Sequence, residues 1–296
     1  MKEKSSKILN GVIVGLGVLA VVGGIFLFVK NKKEVSLDEF SDKTEVRVDA
    51  SLATQPLMDF YVDNLTNFNL KKDYTNTDPA YTKLINGETD LIIVTEPSSD
   101  ELKRASEAGV ELEVTPVVNE GFVFYTNVNN PVDSLKLSEI QDIYTDRITN
   151  WKQVGGDDAN IIAYQRPENS GSQTGMLSLV MKDKEIKEPK TEEYIVSMAG
   201  IIDAVANYDN SKNAIGYSYY YYATIMYGSD KIKFLAVDGV RPNHDTIKDN
   251  TYPLITAYYI VTLKNTENKA VNKVKEAMLG SKGQEIARNA GYIEIN

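Results

Sequence analysis

Residues 161–181 constrain this chain more than any other stretch. An apolar run, Ile161-Ile162-Ala163-Tyr164, is short enough for a buried strand. Gln165, Arg166, Pro167, Glu168 and Asn169 leave it, Ser170-Gly171-Ser172 form a tight turn, and Met176 to Met181 read as a helix. A chain that runs strand, arginine, turn, helix places the first helical amides at the turn, where the helix supplies them no partner. Those amides carry the positive end of the helix dipole and suit an anion. Gly171 lets a ligand approach the backbone closely. Ser170 and Ser172 add hydroxyl donors, and Arg166 adds a planar cationic fork that fits a tetrahedral oxyanion. Taken alone, the same residues read first as an N-cap serine, a turn glycine and a surface arginine, because Ser-Gly-Ser is common in loops.

Composition narrows the partners. The 296 residues carry a formal charge of −10, with 42% hydrophobic and 25% charged residues, which fits a globular chain. The acidic balance speaks against a nucleic-acid partner, which needs a basic face. It leaves an anion ligand open, because local donors govern a buried site. With no cysteine, the chain has no disulfide, no thiol nucleophile and no cysteine-held metal. His244 is the single histidine, so neither a histidine-rich metal site nor a cofactor is expected.

Residues 8–29 are apolar and uncharged, about the ~20 residues a membrane-spanning helix needs. Lys2, Lys4 and Lys7 precede them, which favours a cytoplasmic tail at 1–7, although Lys30, Lys32 and Lys33 weaken the asymmetry. The run is longer than the ~7–15-residue core of a cleaved signal peptide. A retained transmembrane anchor is the expectation, followed by a polar linker at 30–43.

Beyond the linker, strands alternate with helices. Residues 44–49 alternate as a half-buried strand, 51–55 turn, and Pro56 opens a helix with Leu57, Met58, Phe60 and Tyr61 as its apolar stripe. Asp78 and Pro79 read as an N-cap and first helical residue, and residues 91–94 as a buried strand. A helix follows from Ser98 to about Ala108, and residues 114–118 are expected to carry the chain into a second lobe. Residues 192–207 read as another helix. The tyrosines at 219–222 are expected to pack in alternation rather than to form a stacking platform.

Several motifs fall in one order: Asn130-Pro131-Val132, Ile143-Tyr144, Ile148-Thr149-Asn150-Trp151, Gly155-Gly156, then Arg166 with Ser170-Gly171-Ser172. Together they resemble the phosphate-binding subunits of bacterial phosphate ABC importers, with Asp146 where that family usually has glycine. The likeness extends, with gaps, from about Thr44 to Ile295, through Ala214-Ile215-Gly216-Tyr217 and Tyr252-Pro253-Leu254. It implies a two-lobe, periplasmic-binding-protein-like α/β fold with mainly parallel sheets, residues 44–116 plus 255–296 forming lobe one and 117–254 lobe two. It implies inorganic phosphate or a similar oxyanion as ligand and ABC permease subunits as partners. Lobe one would offer Thr54, Gln55, Thr77, Thr95 and Glu96, and lobe two Arg166, Ser170, Gly171 and Ser172. Many members of that family are held by a lipidated cysteine, and here the N-terminal helix would replace it. Two rivals remain: a sensor or adhesion protein with altered or lost anion binding, and a secreted phosphate-ester hydrolase, for which only His244 and Asp157-Asp158 offer candidate groups.

Overall fold

The computed structural model describes residues 42–295. The expected helix at 8–29 lies outside them, and among the described residues no helix is long and apolar enough to cross a membrane. In chain order the elements are β1 Asp42–Ala50, α1 Gln55–Asn64, β2 Phe68–Tyr74, α2 Thr77–Ile85, β3 Leu91–Val94, α3 Ser99–Glu107, β4 Leu112–Asn127, β5 Ser134–Leu135, α4 Leu137–Tyr144, β6 Ile162–Ala163 and α5 Gly171–Gly175. The second half adds α6 Met198–Asn207, β7 Ala214–Tyr219, β8 Ile232–Phe234, β9 Ala236–Val237, α7 His244–Lys248, β10 Ile255–Leu263, α8 Lys269–Leu279, α9 Ser281–Asn289 and β11 Ile293–Glu294.

The α/β, two-lobe architecture expected from the sequence is present, but the sheets are mixed rather than mainly parallel. Strands run in the order β2-β1-β3-β10-β4-β7-β6. β1 pairs parallel with β2 and β3, and β6 parallel with β7. β10 is antiparallel to both β3 and β4, and β4 is antiparallel to β7. The physical reason is the route of the chain. It leaves the first lobe on β4 and returns on β10, so the two strands lie side by side in opposite directions, Leu112 opposite Leu263 and Gly121 opposite Ile255. Hydrophobic patterning reports burial, not strand direction.

β4 is the spine of the molecule. Its 16 residues extend over about 50 Å at ~3.4 Å each. Up to Gly121 it pairs with β10, and from Phe122 it pairs with β7. Residues 114–118, expected to carry the crossing, lie within this strand.

Each lobe has its own core. In the first, Ala80, Tyr81 and Leu84 of α2 pack on Ile92, Val94 and Val261. In the second, aromatic rings dominate: Phe122 lies edge-on to Phe124 and Tyr219 at 5.7 and 5.6 Å between centroids. Edge-to-face contacts at this spacing add to the gain from burying the rings. The tyrosine run alternates, with Tyr219 and Tyr221 buried and Tyr220 and Tyr222 half-buried.

Two helix starts differ from expectation. Asn76, not Asp78, precedes the first helical residue of α2, and Asp78 sits in the first turn, ion-paired to Arg104. α6 begins only at Met198, capped by Ser197, whose hydroxyl accepts from Gly200 at 2.9 Å. Residues 192–197 are held elsewhere: Tyr194 bridges to Gln165, and Glu193 is buried beside Lys187 and Lys190.

Candidate anion site

The loops beyond β1, β2, β3, β6 and β7 converge between the lobes. Binding loops of open α/β sheets lie at these strand ends. Together with residues 196–199 they surround a cavity of about 470 Å³. From the first lobe its wall takes Ser51, Asn76, Thr77 and Thr95, and from the second Arg166, Ser170, Gly171 and Ser172.

Arg166 is placed by its own strand and held from three sides. Its amide donates to the Tyr217 hydroxyl at 3.1 Å and to Gln173 Oε1 at 3.2 Å. Nη1 donates to Ser172 Oγ at 3.0 Å and Nη2 to the Val196 carbonyl at 2.8 Å. Burial pulls the guanidinium below the usual arginine range, yet an arginine so placed keeps its charge. Among the described residues no carboxylate neutralises it.

Three residues of this wall each carry a buried polar atom with no hydrogen-bond partner: Arg166 Nε, Ser170 Oγ and Thr95 Oγ1. The Tyr219 hydroxyl near Thr95 donates to the Gly171 carbonyl at 2.8 Å. Buried polar groups are nearly always paired, so unpaired donors on residues from both lobes that line one cavity suit a ligand rich in acceptors. Ser170 caps α5 without a side-chain bond, and α5 continues directly into a π-helical turn, Met176–Met181. Gly171 and Ser172 therefore lie in a first turn, where amides find no helical acceptor.

The lobes touch beside this site. Asn169, at the left-handed φ of 61° that asparagine tolerates, accepts from Ser98 Oγ at 2.9 Å and donates to Asp100 at 3.0 Å. Gly171 backs onto the opposite lobe so closely that a Cβ there would lie 2.6 Å from Thr95 Oγ1 and 3.0 Å from Thr77 Oγ1. Gly171→Ala is therefore expected to prop the lobes apart. Overpacking of this kind costs about 1–3 kcal/mol, which corresponds to a ligand affinity reduced about fivefold to a hundredfold. Calorimetric titration of the variant, with its melting temperature as a control for folding, checks this.

The expected site residues are not all on the wall. Thr77, Thr95, Arg166, Ser170, Gly171 and Ser172 line the cavity. The Thr54 hydroxyl instead lies 2.5 Å from the Ile93 carbonyl inside the first lobe, and Gln55 begins α1; the wall nearest to them is Ser51, Leu52 and Ala53. Glu96 accepts a bond from Ser178 Oγ, a further contact between the lobes, while its neighbour Thr95 faces the cavity. Residues 196–199, Tyr219 and Tyr222 were not anticipated. The first group carries no motif. The alternation of the tyrosines pointed to packing and gave no hint that Tyr222 reaches the cavity.

A two-lobe α/β molecule with an unneutralised arginine between its lobes has the form of a solute receptor. Comparison with known proteins agrees: residues 42–279 match the family model of the PBP superfamily domain, and the chain belongs to that superfamily. Its relatives include the phosphate-binding protein PstS of Borreliella burgdorferi, 26% identical over 257 residues, covering 84% of this chain and 90% of the relative. Among solved structures, a chain from Clostridium perfringens with bound phosphate superposes with a TM-score of 0.66 at 22% identity, covering 86% of this chain and all of that one. An ABC-type phosphate transport receptor from Vibrio cholerae gives the same TM-score at 20% identity, covering 85% of this chain and all of that one. At these identities the two structures speak for the fold.

Proposed function

We propose that the protein is an extracytoplasmic solute-binding protein that captures phosphate between its lobes and delivers it to an ABC permease. The observation that carries this reading is the pairing of two unpartnered buried hydroxyls, of Thr95 and Ser170, with a guanidinium whose Nε is unpartnered and whose charge no carboxylate among the described residues neutralises. The names of the relatives support phosphate as the oxyanion and an ABC transporter as the setting. Binding needs no bond-making: neutral dipoles and one arginine hold the dehydrated anion while the lobes close about a hinge. His244, the one histidine, opens α7 with its ring half-exposed beside Asp245, not on this wall. Lobe one comprises residues 44–116 and 255–296, and lobe two 117–254. The return strand β10, which begins at Ile255, supports this division.

Residues 8–29 anchor the folded part outside the membrane by this reading. Their length and the absence of a lipidation cysteine support it. N-terminal sequencing of the membrane fraction checks it, and a mature chain beginning beyond Val29 would contradict it.

Selectivity gives a sharper test of the binding reading. Inorganic phosphate keeps a proton near neutral pH and sulfate does not, so an acceptor-only carboxylate in the site favours phosphate and repels sulfate. Glu96 is engaged with Ser178, and Thr95, which repels nothing, takes the wall position. The expected result is phosphate binding with appreciable competition from sulfate, little changed by Glu96→Gln. If the wild type ignores a large excess of sulfate and Glu96→Gln accepts it, Glu96 is the discriminating group and this assignment is wrong.

A further inference from the structure

We propose that Asn169 is a positioning residue that latches the closed cleft and so sets how fast phosphate leaves it. This rests on the reading of the cleft as a phosphate site between two lobes. It goes beyond that reading by separating the groups that hold the ion from those that hold the lobes.

The bonding of Asn169 is the first argument. Its side-chain oxygen accepts from Ser98 Oγ at 2.9 Å, and its nitrogen donates to Asp100 Oδ2 at 3.0 Å. A carboxylate accepts and a hydroxyl can donate, so a single amide orientation satisfies both. Both partners are themselves fixed. Ser98 caps α3 and accepts from the Glu101 amide at 3.1 Å, and Asp100 accepts from Arg104 Nε at 3.0 Å. Asn169 is fixed as well. The Ser170 amide closes a turn onto the Pro167 carbonyl at 3.1 Å, and Asn169, with φ 61°, occupies the third place, where a type II turn needs a positive φ.

Position along the chain is the second argument. Asn169 directly precedes Ser170 and follows Arg166 by three residues, while Ser98 and Asp100 follow Thr95 by three and five. Each half of the latch is thus carried by the same stretch of chain as the groups that face the ion. Ser98 and Asp100 stand outside the cavity lining, so their bonds to Asn169 act on the lobes and not on the ion. The contact of Glu96 with Ser178 is a second tie between the lobes beside Thr95.

Bonds that cross the cleft act on one direction of the exchange. The ion enters while the lobes stand apart and these bonds are unmade, and it leaves only after they break. Loss of the latch should therefore speed dissociation and spare association.

Asn169→Gly removes the amide while keeping a residue that adopts positive φ freely, so the turn that carries Ser170 stays in place. Asp100→Ala removes one partner and leaves Arg104 bonded to Asp78 and Thr82. Release is read by a rapid-filtration chase of bound radiolabelled phosphate with unlabelled phosphate. Calorimetry gives the dissociation constant, and the two together give the association rate. The expected result is release about tenfold faster in Asn169→Gly, which loses two hydrogen bonds, one of them to a charged group, with the association rate unchanged. Asp100→Ala should release faster than wild type, and the double variant no faster than Asn169→Gly alone, because both changes break one latch. Wild-type release in both single variants, or effects that multiply in the double variant, would overturn the latch and leave the phosphate site standing. Slower association in Asn169→Gly with Asp100→Ala unaffected would make Asn169 a direct contact of the ion and would also overturn it. A folded wild type that binds no phosphate would overturn both the latch and the site.

Discussion

Arg166→Ala is expected to abolish anion binding while the protein stays folded. The guanidinium carries the only positive side-chain charge on the cavity wall, and among the described residues no carboxylate shares it. A hydrogen bond to a charged group contributes about 1.5–3 kcal/mol, and an oxyanion stripped of water without its cation loses more than one such bond. The affinity should fall at least about a hundredfold. The fold should survive, because the bonds lost, to Ser172 and Val196, leave a hydroxyl and a carbonyl beside a cavity that water can enter. Arg166→Lys should recover little, since a lysine supplies a point charge without the planar fork. Calorimetry with phosphate and a thermal melt of each variant separate binding from folding. An unchanged dissociation constant in Arg166→Ala would remove the proposed site.

A second large effect should appear in stability against pH, and it arises away from the ligand. Glu120 is 1% exposed, at the end of the β4 segment that pairs with β10. Its carboxylate accepts from the amides of Gly121 at 2.8 Å and Tyr221 at 3.2 Å. Those bonds favour the charged form, but burial outweighs them and pushes its pKa from 4.5 up to about 8. The side chains around it are tyrosines, with Tyr220, Tyr221 and Tyr292 and the half-exposed His244 on the same small cavity and Tyr258 beside it. Lys248 and Arg288 are committed to Glu294. Between pH 4.5 and 8 the folded chain holds a proton that the unfolded chain has released. Stability from this group is therefore full below about 4.5 and is lost as pH rises through 8, at up to about 1.4 kcal/mol per unit. Glu101, which burial pushes up to about 7, acts in the same direction over the lower part of that window. Denaturant unfolding at pH 5.5, 7 and 8.5 should show stability falling with pH, and Glu120→Gln should flatten the fall. Parallel curves for the two proteins would place the Glu120 carboxyl in its charged form.

What the sequence revealed and what it hid follow from the range of the interactions. The turn at Ser170-Gly171-Ser172 was legible because strand β6, the arginine, the cap and the helix start lie within a few residues of one another. The buried strand β3 was legible from four consecutive apolar residues. The antiparallel seam between β4 and β10 was not, because it joins residues more than a hundred positions apart and its direction depends on the route of the chain. The helix expected over 192–207 starts late for a tertiary reason: burial of Glu193 and the bridge from Tyr194 to Gln165 hold the chain before Met198. That late start puts residues 196–199, the end of the loop and the first residues of α6, on one wall of the cavity. The family resemblance implied that the Thr54 hydroxyl faces a ligand. The structure gives it the nearer Ile93 carbonyl, a choice that local sequence could not settle.

The most direct measurement is a calorimetric titration of the purified protein, dialysed free of anions, with inorganic phosphate at neutral pH. The expected result is one saturable site per chain, lost in Arg166→Ala and weakened in Gly171→Ala. A flat isotherm with a folded wild-type protein would contradict the claim that the unpartnered atoms of Thr95, Arg166 and Ser170 form a site for phosphate.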